Sequence, residues 1–293
     1  MAVMLQATRV IGDLGILAFV VATMTALGMR LTISQIMGPL RGWILPIKAL
    51  VANFVLVPAL ALAIRAVFPL SDGFGIGLIL MATAAGAPFL PPLVQIAKGE
   101  VAASVGVLVL LMGTTVFYLP LVLPLLLPGV QVSPLDIAKS LVLLMLLPLA
   151  IGLFVNRRFP AVAARLQRIV SIIGNIGLVI GVVALLALHG QAKLATFGTG
   201  AVAASIVLVA GTLLIGWLIA GADTAARAVL TLGTGARNIP AALLVADLNF
   251  DDADVLVMCV LFAVVSLVGL FVTARQLGRR APAAAAADTP LER

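Results

Sequence analysis

The sequence predicts an all-α polytopic membrane protein of about nine transmembrane helices, two of them broken near their middles. Of the 293 residues, 63% are hydrophobic and only 10% charged, and the mean hydropathy is +1.28. Uncharged runs such as 101–132 are longer than the ~18 residues at which a membrane span is suspected, which excludes a merely apolar soluble domain. Two stretches, Gly86-Ala87-Pro88-Phe89-Leu90-Pro91 and Gly235-Ala236-Arg237-Asn238-Ile239-Pro240, repeat the pattern G-A-x-x-[LI]-P inside long hydrophobic segments. Gly costs about 1 kcal/mol and Pro about 3 kcal/mol in a helix interior, and the backbone groups they free find no water in hydrocarbon. Such breaks persist only where they are buried or line a cavity. A matched pair in corresponding halves of a chain points to a transporter's substrate site.

Spans are expected at 8–29, 43–66, 72–97, 100–127, 134–156, 167–189, 196–220, 224–248 and 252–276, each near the ~20 residues a bilayer needs. Charge alternates between their ends. Arg30 and Arg41, Lys98, Arg157, Arg158, Arg165 and Arg168, Arg227, and Arg279 and Arg280 fall on one side; Arg65, Asp72, Lys193 and the turn with Asp247, Asp251, Asp252 and Asp254 fall on the other. The positive-inside rule then places the N-terminus outside and the C-terminus in the cytoplasm of a cell-membrane protein. Trp43 and Trp217 fall near the cytoplasmic interface as anchors. The net charge of +7 reads as cytoplasmic Lys and Arg rather than a nucleic-acid surface. A single cysteine, Cys259, excludes disulfides and multi-cysteine metal clusters within one chain. No small-residue cleavage site marks the N-terminus as a removable signal. Residues 1–280 read as the transmembrane domain and 281–293, rich in Ala and Pro, as a disordered cytoplasmic tail.

The two breaks belong to a wider repeat. Ile11-Gly12-Asp13-Leu14-Gly15-Ile16-Leu17 in span 1 is similar to Ile173-Gly174-Asn175-Ile176-Gly177-Leu178-Val179 in span 6, and span 3 matches span 8. A displacement of five spans inverts topology, so 8–127 and 167–276 are expected to be inverted repeats, with span 5 unmatched.

At this point the chain resembles the bile acid:sodium symporter superfamily. The resemblance rests on Leu27-Gly28-Met29-Arg30-Leu31-Thr32, Asn53-Phe54 followed by Pro58, Ala97-Lys98-Gly99-Glu100-Val101-Ala102 with Ser104, and Thr234-Gly235-Ala236-Arg237-Asn238. It implies a panel domain and a core domain in which the two broken helices cross at the midplane beside the substrate. Members with nine spans have an external N-terminus and a cytoplasmic C-terminus, in agreement with the charge count. Departures from the family pattern matter as much. Where sodium-coupled relatives carry a glutamate, this chain has Gly233, and where they carry a glutamine before the second-break Asn it has Arg237. Leu90 and Pro91 replace a Ser-Asn pair, Leu108 replaces a Thr one turn after the retained Ser104, and Asn53 stands where relatives have Gln. Sodium coupling through these positions is therefore not expected.

Arg237 is the leading candidate residue. A charge at the bilayer centre costs at least about 2.5–3.5 kcal/mol, and such residues are usually paired and functional. It is read as a replacement for a bound cation, as a bidentate ligand for a substrate carboxylate, or as a cap on carbonyls freed by Pro240. Asn238 either orients a ligand or satisfies the break. Pro88, Phe89 and Gly235 complete the expected substrate-binding set. Asp13 is the one acid well inside an apolar segment, a proton carrier or a helix contact; Gln95, His189 and Cys259 read as helix-end, interface and core residues. The turn Asp251-Asp252-Ala253-Asp254 reads as an N-capped link rather than a metal site. No GxGxxG, Walker or HExxH motif is present. Together these features predict a secondary transporter of small organic anions, amphipathic carboxylates, with no cofactor and no catalytic residues. The alternatives are an arsenite-efflux relative, which an isolated Cys259 disfavours, an intramembrane enzyme, which one His and few acids disfavour, and a non-transporting receptor or scaffold. Oligomeric state is not legible.

Overall fold

A computed structural model describes residues 2–32, 34–35, 43–127, 133–193 and 200–280. Arg41 and the expected tail 281–293 lie outside the described residues, as do the side chains of His189 and Lys193. The helices follow in the order α1 (Ala2–Arg30), α2 (Ile44–Val67), α3 (Asp72–Thr83), α4 (Leu90–Ile96), α5 (Val101–Leu126), α6 (Pro134–Arg158), α7 (Pro160–Lys193), α8 (Ala201–Ala220), α9 (Thr224–Gly235), α10 (Ile239–Asn249) and α11 (Ala253–Arg280). Among the described residues seven helices, α1, α2, α5, α6, α7, α8 and α11, are long and apolar enough to cross a membrane. The segments expected at 72–97 and 224–248 are instead two short helices each, α3 with α4 and α9 with α10. Both interruptions fall at the repeated G-A-x-x-[LI]-P pattern. Helix α7 starts at Pro160, a residue suited to the first turn because its missing N–H would be unpaired there anyway.

Helices α2 and α6 each contain one widened turn that the sequence reading passes over, at Ala52–Leu56 and Val142–Leu146. Val57 N–H reaches back five residues to Ala52 O, and Leu147 N–H to Val142 O. The cause is the proline one residue further on, Pro58 or Pro148, which has no N–H for the carbonyl four residues before it. In α2 the orphaned Phe54 carbonyl accepts a hydrogen bond from the Tyr118 hydroxyl at 2.7 Å. Such turns often mark functional positions, and this one carries Asn53.

Two groups of helices result. Helices α1, α6 and α7 pack along one another, while α2, α3, α4, α5, α8, α9, α10 and α11 form the second group around the breaks. Glycines set the spacing in the first. A Cβ on Gly15 would lie 2.7 Å from Gly177 O, and one on Gly28 would lie 2.2 Å from Leu149 O. Small residues of this kind let helix backbones touch in lipid, where packing rather than the hydrophobic effect drives association. The similar segments 11–17 and 173–179 thus lie against each other. The second group holds most of the largest buried side chains, among them Phe262, Leu78, Leu80, Met81, Leu90, Leu108, Leu111 and Arg237.

Candidate functional site

Each break leaves carbonyls and N–H groups that lipid cannot satisfy, and several of them find partners locally. Ala84 and Ala236, just past the ends of α3 and α9, are extended, and Gly86 takes φ +87°, with a hypothetical Cβ only 2.4 Å from Met112 N. Only glycine fits there. The two breaks cross through an antiparallel bridge between Ala85 and Arg237, with Asn238 N–H donating to Ala84 O at 2.9 Å. Thr115 Oγ1 of α5 bonds both Ala85 O and Ala85 N–H at 3.0 Å. Asn238 Oδ1 caps α10 by accepting from Ala241 N–H at 3.1 Å, and its Nδ2 lies 3.9 Å from Met145 Sδ of α6.

Arg237 is fully buried. Its Nη1 donates to Ala82 O at 3.2 Å, and its Nη2 donates to Asn53 Oδ1 and Thr234 O. Ala82 and Thr234 lie at the C-terminal ends of α3 and α9, where unpaired carbonyls concentrate the negative end of the helix dipole. Asn53 is aimed at the guanidinium by the widened turn of α2, its Nδ2 held by Ala49 O at 2.9 Å. No carboxylate pairs with Arg237 among the described residues, so its charge is met by dipoles. Three bonds to a charged donor, at about 1.5–3 kcal/mol each, offset the roughly 2.5–3.5 kcal/mol cost of a charge in apolar surroundings, while Nε stays buried without a partner.

At the other positions that the family resemblance leads one to compare with an ion site, most side chains are apolar. Leu90 and Leu108 are fully buried, and a Cβ on Gly233 would meet Leu90 at 3.4 Å and Val107 at 3.6 Å, ordinary contacts. Pro91 is half-buried. Ser104 turns its hydroxyl onto Val101 O at 2.6 Å. A hard cation needs several oxygens, and a guanidinium with leucine side chains occupies this region.

Two cavities open between the helix groups from opposite ends. One, about 430 Å³, lies toward the Arg30 end and is lined by Phe19, Thr23, Pro88, Phe89, Asn175 and Pro240 among others. The other, about 410 Å³, lies toward the Arg9 end and is lined by Asp13, Ile16, Gly181, Asp247 and Asp251 among others. Ile16 of α1 faces one cavity and Phe19 the other, and Gly181 and Val182 of α7 divide in the same way. Three residues of helix rise about 4.5 Å, so a layer under one turn thick separates the two.

Of the expected substrate-binding residues, Pro88 and Phe89 line the first cavity, whereas Arg237, Asn238 and Gly235 are buried beside it among protein groups. Sequence reasoning missed Thr23, Ser171 and Arg30, which line the same space, because spacing alone does not tell which face of α1 or α7 looks inward. Asn175 faces this cavity and its repeat counterpart Asp13 faces the opposite one. Gln95 is exposed at the end of α4, and Cys259 is buried, its Sγ 3.8 Å from Gly77 O. In the acidic turn Asp252 Oδ1 accepts from Asp254 N–H at 2.9 Å and Asp251 lies 3.8 Å from Arg9.

Apolar spanning helices, two crossed interruptions and opposed cavities define a polytopic helical membrane protein of the interrupted-helix kind. The chain belongs to the Sodium Bile acid symporter family, whose sequence model matches residues 17–195, more than half of its length. That is a family of membrane transporters, and the protein is of the bile acid symporter type. Comparison with curated proteins finds no match.

Proposed function

We propose that the protein is a secondary carrier of small amphipathic carboxylates, working by alternating access, and that Arg237 replaces the exchangeable cation at the crossing of the broken helices. The observation that carries this reading is the pair of cavities on opposite sides of one thin layer between the same two helix groups. A rocking of α1, α6 and α7 against the rest would close one and open the other. Charge alternation supports nine crossings with the Arg30 end in the cytoplasm, and the paired motifs support inverted repeats. The cytoplasmic cavity suits an amphipathic anion: Phe19, Phe89, Leu178 and Val264 offer apolar surface, Thr23, Ser171 and Asn175 offer hydrogen bonds, and Arg30 stands at its mouth. Arg237 faces the ends of α3 and α9 instead, which favours the cation-replacing role over carboxylate binding.

The test is a thermal-shift screen of purified protein against a panel of carboxylates in choline buffer. A stabilising carboxylate is expected, its shift lost in Phe89→Ala and Asn175→Leu. A panel with no stabilising member, or a shift that survives both substitutions, would contradict the assignment of this cavity.

A further inference from the structure

A smaller pocket, of about 210 Å³, lies between α8, α9 and α11 at the end of the molecule that carries Arg227, Arg279 and Arg280. None of its lining residues belongs to either of the two cavities described above. Helix α8 contributes Leu214 and Trp217, which are 55% and 46% exposed on its apolar outer face. The pocket therefore opens toward the bilayer. Helix α11 contributes Thr273, Gln276 and Arg280, whose spacing of three and four residues sets them on one face. Thr231 of α9, only 2% exposed, borders the pocket at depth.

The hydroxyl of Thr231 lacks the partner that other helical threonines have. Thr25, Thr83, Thr114 and Thr212 each turn theirs onto a carbonyl of the preceding turn, whereas Thr231 Oγ1 is buried and meets no acceptor or donor. Such a group is costly, and buried polar atoms are nearly always paired. One turn earlier on α9, Arg227 lies over the Trp217 ring, its guanidinium carbon 5.8 Å from the centroid, and Nη2 donates to Gly221 O at 2.7 Å. Its Nε is also buried without a partner. Neither Arg227 nor Arg280 forms an ion pair among the described residues. No carboxylate lines the pocket: Asp223 caps α9 by accepting from Ala226 N–H at 2.9 Å, and with Glu100 it lines a separate pocket beside Trp43 and Lys48. Donors and positive charge thus gather here, and no anionic side chain meets them.

We propose that this pocket binds the headgroup of an anionic phospholipid, with Arg280, Gln276 and Thr231 as donors to the phosphodiester and Leu214 and Trp217 against the upper part of an acyl chain. The charge balance selects the headgroup. A net-anionic lipid meets the donors, whereas the ammonium of a zwitterionic lipid finds no carboxylate. The exposed apolar mouth selects a lipid over a soluble phosphate, because Leu214 and Trp217 gain nothing from a small hydrophilic anion. Basic pockets between spanning helices, with Trp at the membrane interface, suit such headgroups. Occupancy ties α9, the first half of the second broken span, to α8 and α11.

Native mass spectrometry of the purified full chain in detergent, titrated with dioleoylphosphatidylglycerol or dioleoylphosphatidylcholine, reads the affinity of the first bound lipid. Phosphatidylglycerol is expected to bind at least about tenfold more tightly, the advantage of a charge-assisted hydrogen bond. Arg280→Gln should remove most of that preference. Arg279→Gln takes the same charge from a neighbouring exposed residue that does not line the pocket, and should retain the preference. Thr231→Val, close in shape but without the orphaned hydroxyl, should weaken phosphatidylglycerol binding while leaving the melting temperature of the lipid-free protein unchanged or raised. Glycerol phosphate in large excess should not displace the lipid. Equal affinities for the two lipids, or equal losses in Arg280→Gln and Arg279→Gln, would overturn the assignment of this pocket. Displacement by glycerol phosphate would overturn the lipid in favour of a soluble phosphoryl ligand. Because the pocket shares no residue with either cavity, each of these results leaves the carboxylate screen to be decided on its own.

Discussion

Arg237 resolves two physical problems at one residue. The breaks leave carbonyls at the C-terminal ends of α3 and α9, and the guanidinium, itself costly at this depth, is the group that satisfies Ala82 O, Thr234 O and Asn53 Oδ1 together. A planar fork can bridge three acceptors that an ammonium cannot span. Arg237→Lys should therefore lower stability and Arg237→Ala should lower it further, by about 2 kcal/mol or more once relief of the buried charge is allowed for. Asn53→Ala, which removes one acceptor, should cost roughly 1–3 kcal/mol because the guanidinium N–H it met is left buried and unpaired. Thermal unfolding in detergent checks the order; a wild-type midpoint in Arg237→Ala would mean that water fills the crossing unaided. Arg237 stands out in the sequence because charge inside an apolar run marks itself, but the direction in which it points does not. Depth follows from position along the chain, whereas azimuth follows from packing. Hence Phe89 is legible as a cavity residue, while Arg237, bridged to Ala85 of the other break, turns toward the helix ends.

At the scale of elements, close approach explains why α1 and α7 carry matching glycines. Gly177→Ala would place a Cβ 2.7 Å from Gly15 O and 3.0 Å from Phe19 N, backbone that cannot give way. Gly113 of α5 has nothing within 4 Å of its Cβ position. The same substitution should therefore have opposite signs: Gly177→Ala should destabilise by about 1–3 kcal/mol, and Gly113→Ala should be neutral or stabilise by up to about 1 kcal/mol through helix propensity. Equal effects in unfolding experiments would show that the glycines do not set the spacing. Spans and breaks were legible because hydropathy and the Gly/Pro pattern are local. The widened turns at Ala52–Leu56 and Val142–Leu146 were not, although Pro58 and Pro148 signalled a missing donor, because a proline in an apolar helix can also kink it. Tyr118, 64 residues from the carbonyl it bonds, was beyond any local pattern.

Over the whole molecule, the proposed alternating-access carrier and its orientation rest on the two helix groups, the cavities between them toward opposite ends, and the charge alternation along the chain. Cysteine introduced at Arg158 should be labelled by an impermeant reagent only from the cytoplasm, and one at Asp252 only from outside; both on one face would reject the proposed orientation. The central claim is that a tethered guanidinium stands in for sodium. The most direct test is the thermal stability of purified protein with sodium replaced by choline, in the parent and in Arg237→Gln combined with Gly233→Glu. A Cβ at Gly233 would meet Leu90 and Val107 at ordinary distances, so the backbone there accepts a side chain without a clash at its first atom. The account predicts no sodium response in the parent and a saturable sodium-dependent stabilisation in the double variant. A saturable stabilisation of the parent by sodium would contradict it.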